Sequence, residues 1–146
     1  MSVATAAASP VSRRVHGWTI ALGLGAITQG IWSFVWSREF YDSFPIAGAE
    51  WVSRLGPFNE HLTKDVGAAL IGLGVAALAV ARLRHSGAIR ALAAGFVVFG
   101  ALHLGFHLGE LGHFGPASAA AQAVSLTLLV ALPLGLIAAS RTTTRS

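Results

Sequence analysis

Four stretches of the chain carry no charged side chain: residues 17–36, 66–81, 91–109 and 111–140. Their apolar residues come in blocks of Ala, Leu, Gly, Val and Ile and do not alternate with polar ones. A membrane β-barrel, which needs a period of two, is therefore not indicated. A hydrocarbon layer ~30 Å thick is crossed by about 20 helical residues. The blocks predict four transmembrane helices over approximately 16–37, 59–84, 89–110 and 117–140. The expected fold is all-α: a transmembrane four-helix bundle with a long extracytoplasmic loop between helices 1 and 2. Residues 15–140 form the membrane domain in this reading, between a mobile tail (1–14) and a polar tail (141–146). The opening "MSVATAAASPVSRR" has the arginines of a signal sequence, but no small-residue cleavage site follows the first apolar stretch, so that helix is read as retained.

Composition supports the same class. Of 146 residues, 54% are hydrophobic and 11% charged, and the mean hydropathy is +0.66. The absence of cysteine excludes disulfide exchange, thiolate metal sites and iron–sulfur clusters, leaving imidazole, carboxylate and carbonyl as ligands. The ten basic residues are divided among short loops and both tails, with no continuous basic face for nucleic acid.

Their distribution instead predicts orientation. Arg13, Arg14, Arg82, Arg84, Arg90, Arg141 and Arg145 fall on the side of both termini, and Arg38, Arg54 and Lys64 on the other. The positive-inside rule then puts both termini in the cytoplasm. All six acidic residues, and the aromatics Trp32, Trp36, Tyr41, Trp51 and Phe58, lie towards the opposite side. In the long connection, "AEWVSRL" predicts a short amphipathic turn with Trp51, Val52 and Leu55 on the lipid or the helix ends, and Asn59 an N-cap with Glu60 in the first turn.

Polar side chains recur inside the apolar stretches. The second helix has 16 uncharged residues between Asp65 and Arg82, roughly 24 Å of helix, so one flanking charge is drawn inward. Arginine can extend its stem to the interface, which leaves Asp65 at the membrane edge facing protein. His61 stands one turn away on the same face, and Ala68, Gly72 and Ala76 continue that face as a small-residue stripe expected to pack. On the third helix, His103, His107 and Glu110 lie within about 60° of one another. Gln29 and Ser33, and Gln122 and Ser125, lie at similar depth on the first and fourth helices.

Polar groups are costly in hydrocarbon unless they meet, so these residues predict a common inward-facing pocket at the extracytoplasmic side. His61, Asp65, His103, His107 and Glu110 are the candidate metal ligands, because imidazole with carboxylate suits Zn, Cu or Fe and helices can project such ligands inward. Gln29 and Gln122 are candidate cofactor-binding residues, and haem ranks below a bare metal. The leading expectation is a transition metal or metallo-cofactor in a redox-related role. One alternative makes the same residues hydrogen-bond glue in an accessory subunit of a larger membrane complex or in a homo-oligomer. Another makes them the titrating groups of a proton-linked carrier or quinone-binding protein. Walker, dinucleotide and HExxH patterns are absent, so enzyme status is left open.

The run "FYDSFPIAGAEWVSRLGPFNEHLTKDVGA" resembles a segment of small, functionally uncharacterised bacterial four-helix membrane proteins, broadly similar to the DoxX-like group. The resemblance covers the first loop and the start of the second helix, and more loosely the histidines of the third. It implies the fold and a bacterial membrane location. Because that group includes subunits of quinone-linked oxidoreductases, it also leans towards a redox or accessory role. The loop here is longer than those proteins usually have.

Overall fold

A computed structural model describes residues 11–142. Among them there is helix and no strand: α1 (Arg13–Val35), α2 (Ser37–Ser43), α3 (Glu60–Leu83), α4 (Ser86–Glu110) and α5 (Pro116–Thr142), with 3-10 turns at Ser53–Leu55 and Leu111–His113. Four of these helices, all but α2, are long and apolar enough to cross a membrane, and the protein is a membrane protein. Of the expected tails, residues 1–10 and 143–146 lie outside the described residues.

The helix starts follow from their caps. Asn59 Oδ1 accepts the Leu62 N–H at 3.0 Å, as the sequence predicts. Ser12 Oγ accepts the Val15 N–H at 3.3 Å, so α1 begins at Arg13, ahead of residue 16. Val11 is buried, and its N–H bonds to the Arg84 carbonyl at 3.3 Å. Val11 is thus tied to the α3–α4 turn, and Arg13 and Arg14 form the first turn of α1. In that turn Arg84 takes the left-handed conformation (φ 51°) that ends α3, and His85 Nδ1 accepts the Ala88 N–H at 3.2 Å to start α4 at Ser86. Pro133 lies inside α5 without ending it.

α1 packs on α3, and α4 on α5. The first contact is close because glycine meets glycine. A Cβ on Gly30 would lie 2.7 Å from the Gly67 carbonyl oxygen, and one on Gly74 would lie 2.6 Å from that of Gly23. Small residues let helix backbones approach so closely. Ser33, itself buried, adds a hydrogen bond across this seam, donating to the Thr63 carbonyl at 2.7 Å. Between α4 and α5 the close point is Gly100, where a Cβ would lie 3.1 Å from the Leu129 carbonyl oxygen. The two pairs join through two buried clusters in the half nearer the termini. One contains Val11, Val15, Ile89, Ala93 and Leu136, the other Ala26, Ala77 and Phe96. Leu24, Val75, Val98, Leu102, Leu128 and Leu132 point outward. In lipid such a surface is solvated rather than exposed.

The packed face of α3 is not the predicted one. Gly67, Leu70, Gly74, Ala77 and Ala81 are buried. Ala68 and Ala76 are exposed, and a Cβ on Gly72 would meet nothing within 4 Å. The two stripes are roughly opposite in helical angle, so His61 and Asp65 crown the outward face.

Residues 36–59 form an aromatic-rich cover at the other end. Trp32, Phe40, Phe44 and Trp51 make a chain of ring contacts, with successive centroids 5.5, 4.8 and 6.3 Å apart. Arg38 pairs with Asp42 at 2.7 Å and lies over the Tyr41 and Phe58 rings. The Tyr41 hydroxyl donates to the Gly56 carbonyl. Trp51 is turned towards α5, its Nε1–H donating to Ser118 Oγ at 2.8 Å.

Candidate functional site

On α4 the buried positions Ile89, Ala93, Phe96 and Gly100 define one face, and steps of three and four residues carry it on to His103 and His107. Both histidines are half-buried. Their rings meet edge to face with centroids 4.5 Å apart. Phe99 stacks on His103 at 5.5 Å, and Phe106 stands edge-on to His107 at 5.3 Å. The facing helix supplies Gln122, two turns into α5 and 0% exposed. Its Oε1 lies 3.2 Å from His107 Nδ1. His103 and Gln122 both sit about 10 Å along their helices from the connecting turn at residues 111–115.

The amide fixes the chemistry of the ring beside it. With Oε1 as acceptor, His107 carries its proton on Nδ1 and keeps the Nε2 lone pair for a ligand or a proton. The other end of the amide is unsatisfied: Gln122 Nε2 is buried with no hydrogen-bond partner. A buried donor left unpaired costs about 1–3 kcal/mol. The cluster therefore offers two imidazoles, one of them hydrogen-bonded to an amide, and an unpaired amide donor.

The other candidates are arranged differently. His61 pairs with Asp65 at 3.3 Å, with side chains 87% and 61% exposed on α3. Glu110, half-buried, pairs with His113 at 3.2 Å. The predicted meeting of His61 and Asp65 with His103, His107 and Glu110 does not form. Among the described residues no three His, Asp or Glu side chains come together as a metal-binding group. The cause is the rotation of α3 set by its glycine seam. Gln29 is half-buried on α1, and of the two glutamines only Gln122 bonds to a histidine among the described residues. Ser33 and Ser125 are satisfied by backbone carbonyls. The remaining histidines have structural partners, His16 with the Ala81 carbonyl at 3.1 Å and His85 as a helix cap.

An open groove of about 370 Å³ lies between the 45–54 segment and the start of α5, lined in part by Trp51, Arg54, Phe114 and Ser118. Ser118 is one turn before Gln122, so the groove lies next to the polar turn of α5. No family model, curated protein or solved structure matches the chain.

Proposed function

We propose that this membrane protein holds a transition metal ion between α4 and α5 through His103 and His107, in a redox-related role, with Gln122 as the residue that orients His107. The observation that carries this reading is the buried Gln122 amide, bonded to one imidazole and unsatisfied at its other end. Interhelical glue alone would be better served by an amide with both ends satisfied. The ligand set is narrower than the sequence suggests, since Glu110 is engaged with His113 and the His61–Asp65 pair points outward.

The finer architecture belongs to the same proposal. The four long helices form one bundle, and the cover at residues 36–59 is extracytoplasmic. Seven basic residues against three support cytoplasmic termini, and we place the protein in a bacterial inner membrane. The resemblance of the loop to DoxX-like proteins agrees with that location. The site then opens towards the extracytoplasmic side.

Metal analysis of protein purified in mild detergent tests the reading. Wild type carries stoichiometric metal, either as isolated or after reconstitution, and a His103→Ala/His107→Ala double variant carries none. Equal metal in both proteins, or none in wild type after reconstitution, rejects it.

A further inference from the structure

We infer that the ion selected at this site is monovalent copper, an inference that rests on the metal reading above and specifies the ion. Every donor in the cluster is neutral: the two imidazoles and the Gln122 amide. No carboxylate of the described residues joins them in a metal-binding group. Glu110 is paired with His113, and Asp65 with His61 on the outward face of α3. Charge brought into a low-dielectric interior without a counter-ion is penalised by Born solvation. That penalty grows as the square of the charge, so a divalent ion costs roughly four times a monovalent one of equal size.

Coordination number points the same way. Zinc favours four ligands, and a helix contributing His103 and His107 at i, i+4 offers two nitrogens. Copper(I), a closed-shell monovalent ion, accepts low coordination by nitrogen. The buried Gln122 Nε2–H group has no partner and can donate to a water or small anion that completes the shell. Sulfur does not compete, because the chain has no cysteine and a single methionine, Met1.

The test is anaerobic titration of the full-length protein in detergent with copper(I) against a chromophoric chelator. Silver(I) serves as a redox-inert probe, and zinc(II) is titrated in parallel. Expected is one copper(I) or silver(I) per chain, held about 100-fold more tightly than zinc(II) and lost in His103→Gln and His107→Gln. X-ray absorption on the copper-loaded wild type, which needs no variant to fold, should show nitrogen ligation at low coordination number. Zinc(II) binding as tight as copper(I), with the same histidine dependence, overturns the choice of ion and leaves the metal reading intact. Failure of both ions to bind overturns the metal reading itself. A copper(I) shell without imidazole nitrogen overturns the site.

Discussion

Gly30 of α1 and Gly67 of α3 touch backbone to backbone: a Cβ on Gly30 would sit 2.7 Å from the Gly67 carbonyl oxygen, and one on Gly67 2.8 Å from that of Gly30. With Gly23 and Gly74 seven residues further along each helix, this contact fixes the rotation of α3 and sends His61 and Asp65 outward. Gly67→Ala forces the two backbones apart and should cost about 1–3 kcal/mol, the usual range for overpacking. Gly72→Ala has open space around it and should be neutral or slightly stabilising, since Ala exceeds Gly in helix propensity by up to ~1 kcal/mol. Unfolding midpoints in mixed micelles compare the two directly. Equal loss in both variants would falsify the seam assignment.

Gln122→Leu separates site from scaffold. Replacing a buried, half-satisfied amide by an apolar side chain of similar size removes one unpaired donor and leaves His107 Nδ1 without its acceptor. Stability should stay within about 1 kcal/mol of wild type, while metal affinity falls about 10- to 100-fold, as when a ligand-orienting partner is lost. Unchanged affinity would show that Gln122 does not orient the ligand.

His61→Ala and Asp65→Asn should leave bound metal at the wild-type level. Their ion pair is well exposed, and exposed pairs contribute about 1 kcal/mol or less to stability. Metal analysis beside the His103 and His107 variants checks this. Loss of metal in either would restore the larger, two-helix ligand set that the sequence suggests.

Tyr41→Phe addresses the cover over the helix ends. The hydroxyl is held by the Gly56 carbonyl and lies 3.3 Å from that of Ser53. Losing it should cost the cover about 0.5–1.5 kcal/mol. Amide hydrogen exchange over residues 53–58 should accelerate by that factor while exchange in α1 and α3 is unchanged. Acceleration throughout would mean that the cover and the helices unfold together.

Orientation is read with single cysteines in a chain that has none of its own. Ile46, 71% exposed in the connection, should react as Ile46→Cys with a membrane-impermeant thiol reagent on intact cells. His85→Cys, in the α3–α4 turn, should react only after the membrane is opened. The reverse pattern inverts the proposed topology.

The four membrane helices, the Asn59 cap and the inward face of α4 were legible in the sequence. Each depends on local properties: the length of an apolar block, a side chain that reaches its own backbone, and the angle between residues three and four apart. The sequence also shows that His103, His107 and Gln122 lie at comparable depth, and the structure brings these three together. It does not show which side of α3 packs, because both sides carry small residues: Ala68, Gly72 and Ala76 on one, Gly67, Gly74 and Ala77 on the other. Periodicity cannot choose between two such stripes. Only the tertiary contact does, because the seven-residue spacing of Gly23 and Gly30 on α1 matches that of Gly67 and Gly74 on α3 and permits a closer approach than alanine would. That match, made between residues 37 and 51 positions apart, turned the carboxylate of Asp65 away from the imidazoles of α4 and left them with an amide.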